Sequence, residues 1–287
     1  MSIYFEQYHN ISSFNSSDSW IVLSEIEQQI KAKIEAIGTP LKDWDINIYR
    51  GILTGYNEAF IIDGNKKDEL IASDPKSAEI IRPLLRGRDI KRYSYEFADL
   101  YIITTFPSLK INIENYPAVK EHLMSFGYDR LKQTGDKGSR KKTNNQWFET
   151  QDTIAYWEDF FRPKIIFQEM VQEPSFIIDN EGIYMCLDTA RIMTGEDLDV
   201  LLTVMNSKLF FYAVKTFYGG GGLGETGVRM KHTFFENFPV PIFSEKTKES
   251  LKKSISNFDN DKLIYVDKII YDSYGFTDEE IQFIGAQ

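Results

Sequence analysis

The chain has 287 residues, 42% of them hydrophobic, and a single cysteine, Cys186. The length accommodates one large domain or two smaller ones of ~100–200 residues each; the apolar share excludes global disorder, and one thiol excludes an intramolecular disulfide. A net charge of −10 excludes a protein that binds nucleic acid over its whole surface, so cations matter only where they cluster.

Residues 1–19 are polar and rich in Ser and Asn, a loose lead-in without the basic head and apolar core of a signal peptide. No apolar run approaches the ~20 residues of a membrane span, so no membrane partner is expected and a cytoplasmic location is the default. Trp20, Ile21, Val22 and Leu23 form a short extended run. Ser24 and Glu27 have capping-box spacing, and Ile26, Ile30, Ile34 and Ile37 recur at helical intervals until Gly38, Thr39 and Pro40 stop the helix.

The stretch GILTGYNEAFIID, with Thr54 between Gly51 and Gly55 and Asn57 just after, reads as strand, tight turn and strand. Asp74 and Pro75 open an expected helix whose stripe is Ala78, Ile80, Ile81, Leu84 and Leu85, ending or kinking near Pro83. It leads into Arg86, Arg88, Lys91 and Arg92; residues 82–92 carry a net +4. Residues 100–106 read as a core strand and 113–126 as a helix.

Residues 132–147, KQTGDKGSRKKTNNQW, are the least apolar part of the chain and read as a long flexible loop; residues 129–142 also carry a net +4. Strands are expected at 163–168, 176–179 and 184–187, with Asn180, Glu181 and Gly182 turning a hairpin between the last two. Cys186, in the last of them, reads as a buried small hydrophobe. One amphipathic helix is expected over 198–217. Helices around 267–281 close the chain, with Thr277 and Glu280 forming a second capping box. The domain reading is 1–43 lead-in and linker helix, 44–195 α/β region, and 196–287 helical region with a glycine-rich loop and C-terminal helices.

Several of these segments, taken together, resemble one family. The run G-I-x-T-G-x-N-x-A-F-I-I-D, then R-P-L-L-R-G-R-D-I-x-R-Y, then P-K-I-I-F, F-x-x-D-x-x-G-x-Y, LLTVMNSKLF and the closing Tyr274–Ile281 pattern are similar to the TaqI-like C-terminal specificity domain. The resemblance spans about residues 20–284. It implies an α+β fold: a twisted, mostly antiparallel sheet carrying recognition loops, followed by a C-terminal helical part. It further implies sequence-specific recognition of double-stranded DNA for an adenine-specific methyltransferase or a type IIG restriction-modification enzyme. The partners implied are the duplex and a methyltransferase or nuclease domain of the same polypeptide, where S-adenosylmethionine and magnesium would act; no cofactor is expected in this chain.

Catalytic equipment is missing from the sequence. There is no Pro-Pro pair for an amino-methyltransferase motif and no Pro-Asp dipeptide for a metal-dependent nuclease, and His9, His122 and His232 lack zinc spacing and read as incidental surface residues. Gly222, Gly224 and Gly227 satisfy G-x-G-x-x-G, but no strand precedes them and no good helix follows. That run reads as an inter-element loop or as bare backbone approaching phosphates beside Arg229 and Lys231.

Recognition chemistry remains. Arg and Lys suit guanine edges and phosphates, and Asn and Gln suit adenine edges. The DNA-contact candidates are Thr54, Asn57, Arg86, Arg88, Lys91, Arg92, Arg130, Lys137, Arg140, Lys141, Lys142, Asn144, Asn145, Gln146, Trp147, Arg229 and Lys231, with base readout centred on 140–147. Two other classes stay open: a stand-alone specificity subunit that recruits a separate methyltransferase, and an enzyme binding a nucleotide at the glycine-rich loop.

Overall fold

The computed structural model describes residues 23–219, 227–255 and 260–287. The lead-in at 1–19, Trp20, Ile21, Val22 and all but the last residue of the G-x-G-x-x-G run lie outside the described residues. The fold is α+β, with mostly antiparallel sheets and C-terminal helices. Two compact units are present: one of Ile46–Glu169 with Ser175–Leu198, the other drawing on Met1–Asp45, Met170–Pro174 and Asp199–Gln287.

The first unit holds two four-stranded sheets. One is antiparallel throughout, in the order Ile46–Arg50, Ala190–Gly195, Lys164–Gln168, Phe176–Asp179. The other runs Ile61–Asp63, Leu100–Ile103, Ile81–Leu85, Met185–Cys186, and its last pairing is parallel. Successive strand residues face opposite ways, so Ile102 and Ile103 serve different cores. Ile102 joins Leu84, Leu85 and Met185 with Ile166, Ile177 and Ile192 of the first sheet. Ile103 joins Phe60, Leu70, Val119 and Leu123 under the helices Gly64–Ser73 and Pro117–Met124. Cys186 is fully buried in the first of these cores, and burial pushes its thiol up to about 12.

Several expectations are corrected here. The helix expected after Pro75 is one 3-10 turn, Pro75–Glu79, followed by the strand Ile81–Leu85. Pro83 sits where that strand leaves its antiparallel neighbour, after its pairing with Tyr101, and passes to the parallel one; a residue without an N–H fits that handover. Gly64–Ser73, just before it, is a helix capped by Asp63, and Asn57–Phe60 is a helical turn rather than strand. Asn180–Gly182 does turn the chain, but the strands it joins belong to different sheets, so no hairpin forms. Gly182, at φ +64, lies against the Phe161 carbonyl, where any Cβ would collide. Residues 132–147 carry no regular element, yet they are held by internal hydrogen bonds.

In the second unit, Ser24 and Glu27 cap the helix Glu25–Ala36 as expected. Thr39–Pro40 pairs with Pro239–Val240, and Met170–Val171 with Val228–Arg229. The expected single helix at 198–217 is two, Leu198–Met205 and Lys208–Thr216. The break comes at Ser207, whose hydroxyl caps the second by accepting from the Phe210 N–H. Helices Glu245–Ile255, Asn260–Tyr274 and Asp278–Gly285 follow, the last with the Thr277–Glu280 capping box. No described helix is long and apolar enough to cross a membrane.

Candidate nucleic-acid interface

The polar loop at 132–152 is organised from beneath by two buried side chains. Arg140 is 2% exposed. Its Nε donates to the Leu131 carbonyl at 2.7 Å; Nη1 donates to the carbonyls of Thr54 at 2.9 Å and Glu149 at 2.8 Å, and Nη2 to that of Trp147 at 2.7 Å. The guanidinium also lies 5.1 Å from the Phe60 ring centroid. Burial, aided by repulsion from Arg130 and opposed by Glu149, lowers it to about 10, so it stays charged at neutral pH. Buried Gln133 complements it, with Nε2 donating to the Gln146 and Glu149 carbonyls and Oε1 accepting from the Thr143 hydroxyl. One planar cation and one amide thus satisfy carbonyls that an irregular loop would otherwise leave unpaired.

Asn145 and Trp147 belong to the same scaffold. The Asn145 Nδ2 donates to the carbonyls of Thr150 and Gln151. Trp147 is half-buried against Phe148, with Tyr128 6.4 Å away. The side chains of Lys137, Lys141, Lys142, Asn144 and Gln146 are exposed and make no hydrogen bond or ion pair with the described residues. Two candidates are corrected. Arg140 cannot reach a ligand because its donors are engaged inside the protein. Thr54 is fully buried; its hydroxyl accepts from the Tyr56 N–H and donates to Asn57 Oδ1 at 2.6 Å. Thr54 therefore orients the exposed Asn57 amide, and its own hydroxyl is engaged inside the protein.

Arg130 stands beside this scaffold, its guanidinium 3.9 Å from the centroid of Tyr56 and Nη1 donating to the Gly138 carbonyl at 3.3 Å. The other cationic stretch packs elsewhere. Arg86 is engaged with Asp89 through Nη2 at 2.8 Å and Nε at 2.9 Å, closing the 3-10 turn Gly87–Asp89. Gly87 lies against Gln168 and Thr189, and the Tyr93 N–H donates to the Phe176 carbonyl. Arg88 and Lys91 are exposed there, and Arg92 is half-buried with a partner of its own.

A series of neighbours links the stretches. Burial raises the Asp152 carboxyl; Arg50 and Lys141 oppose that shift and Asp188 adds to it. Asp188 pairs with Arg50 at 3.0 Å, and the next residue, Thr189, packs on Gly87. Arg229 and Lys231 belong to the other unit, where Lys231 lies over Phe234. His122 is no surface residue: it is half-buried with Nε2 3.1 Å from the Ala59 carbonyl, and burial lowers its imidazole below the usual range.

Tyr56, Gln133, Glu149 and Arg50 were missed as site residues. Gln133 was detectable as a glutamine inside the polar run; nothing in sequence pairs Tyr56 with Arg130. Among the described residues no group of three His, Cys, Asp or Glu side chains could hold a metal ion.

The profile of the TaqI-like C-terminal specificity domain matches residues 82–240. The type II methyltransferase M.MjaIV of Methanocaldococcus jannaschii is 23% identical over 218 residues, covering 72% of this chain and 68% of the relative. M.PaeR7I of Pseudomonas aeruginosa, also a type II methyltransferase, is 21% identical over 95% of this chain but only 46% of its own length. The fold resembles that of MmeI, a type IIL restriction-modification enzyme solved in complex with DNA. That match has TM-score 0.54 and 13% identity, and covers 86% of this chain and 36% of the other. BpuSI, a type IIG restriction endonuclease, matches with TM-score 0.52 and 14% identity, over 87% of this chain and 33% of its own. The chain thus spans about a third of these solved enzymes.

Proposed function

Because this chain belongs to the TaqI-like C-terminal specificity domain family, we propose that it recognises a duplex DNA target for an adenine-specific methyltransferase of the type IIG restriction-modification kind. One observation carries the reading: a loop fixed by the buried Arg140 leaves the side chains of Lys137, Lys141, Lys142, Asn144 and Gln146 exposed, with no hydrogen bond or ion pair among the described residues.

The division of labour follows from chemistry. Lysines are flexible point charges suited to phosphates, whereas Asn and Gln amides match the N6 and N7 positions of adenine in the major groove. A scaffold bonded to its own backbone loses little freedom when DNA arrives, which favours affinity. Arg88 and Lys91 would add phosphate contacts along the neighbour series through Asp188. Base flipping and methyl transfer with S-adenosylmethionine would fall to a separate catalytic region, as would any magnesium-dependent cleavage.

The test is the salt dependence of binding to a duplex selected from a randomised pool, followed by fluorescence anisotropy between roughly 0.05 and 0.2 M salt. Replacing Lys137, Lys141 and Lys142 together by Ala should make the slope of log affinity against log salt shallower by about 3. Affinity independent of salt would overturn the reading.

A further inference from the structure

We infer that Arg130 is a specificity-determining residue that reads a guanine through the N7 and O6 acceptors of its major-groove edge. The inference rests on the reading that this chain engages duplex DNA. Tyr56 holds the Arg130 guanidinium at 3.9 Å, and Phe126 packs edge-on against Tyr56 at 5.9 Å, so the stacking surface is itself supported. A guanidinium centred over a ring and tied by one N–H to a backbone carbonyl has its fork of donors restrained on both sides.

Only one of those donors is engaged, on the Gly138 carbonyl. Among the described residues the remaining donors have no acceptor, and none of them is sealed from solvent. No carboxylate forms an ion pair with Arg130 among the described residues, while buried Arg140 lies close enough to repel it. A site with two neighbouring guanidiniums and an unfilled fork calls for paired electronegative acceptors.

Guanine N7 and O6 and two phosphate oxygens share that chemistry. Guanine is favoured because the Arg130 fork is restrained by Tyr56 and Gly138, while the long-stemmed lysines of the adjoining loop are the better phosphate ligands. Among the bases, guanine alone presents two adjacent acceptors in the major groove; adenine sets an amino donor beside N7, cytosine offers an amino donor, and thymine offers one acceptor.

Two scans of the selected duplex separate the sources. In one, each guanine is replaced in turn by 7-deazaguanine, which lacks the N7 acceptor. In the other, each phosphate is replaced by an uncharged methylphosphonate. One 7-deazaguanine should weaken wild-type binding by about tenfold, the size of a lost bidentate base contact. Arg130→Lys should erase that penalty and leave the others intact. Tyr56→Leu, which keeps the guanidinium but removes its platform, should shrink the same penalty.

If Arg130→Lys erases a methylphosphonate penalty instead, Arg130 contacts the backbone and the inference is overturned. It is equally overturned if the variant's guanine profile matches wild type, or if the selected site holds no guanine. Wild-type protein that binds no duplex overturns the parent reading together with this one, so the two failures are distinguishable.

Discussion

Residues 82–92 and 129–142 carry the same net charge of +4, yet the fold uses them differently. In the first, Arg86 is bound to Asp89, and Arg82 donates to the Glu79 carbonyl and lies over Phe161. Arg88 and Lys91 are its exposed cations, and their side chains make no hydrogen bond or ion pair among the described residues. In the second, Arg140 is buried to organise a loop, Arg130 lies over the Tyr56 ring and Lys132 pairs with Asp129, while Lys137, Lys141 and Lys142, like Asn144 and Gln146 just beyond the stretch, make no side-chain hydrogen bond or ion pair among the described residues. Charge summed along a sequence therefore locates candidates, and the hydrogen-bond partner of each cation decides which of them can act on a ligand.

The largest effect that would sharpen this contrast concerns Arg140. Arg140→Ala removes donors from four carbonyls, three of them from buried groups, and should destabilise the protein by about 3–5 kcal/mol, measured by urea unfolding. Arg140→Lys should recover only part, since one ammonium cannot span the four acceptors. A loss below about 1 kcal/mol for Arg140→Ala would mean that the loop is held by something else.

Next in size are the binding effects. The triple lysine variant should flatten the salt slope by about 3, whereas Arg88→Ala with Lys91→Ala should flatten it by no more than about 2 and leave base preference unchanged. Altered base preference in the double variant would break the contrast.

The smallest effect is on acid stability. Burial alone would raise the Asp89 carboxyl, but hydrogen bonds from the Arg86 side chain and N–H hold it below the usual carboxylate range. A folded-state pKa below the unfolded one gives stability that is fully present above ~pH 4 and is lost as pH falls through the folded value. Asp89→Asn should therefore flatten that part of the acid-unfolding curve. An acid limb identical to wild type would show that the Arg86–Asp89 bond contributes nothing there.

Local signals were legible in the sequence. Both capping boxes and the strands at Lys164–Gln168 and Phe176–Asp179 follow from spacing and β-branched composition. Failures came where long-range pairing decided the outcome. Ile80, Ile81, Leu84 and Leu85 fit a helical stripe as readily as a strand apolar on both faces, and pairing with two neighbouring strands of one sheet claimed Ile81, Leu84 and Leu85. The Asn180–Gly182 turn was visible; the separate sheets receiving its two strands were not. At the site, Arg140 looked like its cationic neighbours because its acceptors at Thr54 and Glu149 come from distant or irregular backbone. The Tyr56–Arg130 contact joins residues far apart in the chain, and no sequence pattern encodes it.

The most direct test of the central claim is a lysine footprint. The protein is acetylated with a water-soluble amine reagent, with and without its selected duplex, and each site is quantified by mass spectrometry. The account predicts that Lys137, Lys141 and Lys142 become protected more strongly than Lys91. Protection of Lys91 with the three loop lysines still fully reactive would contradict it.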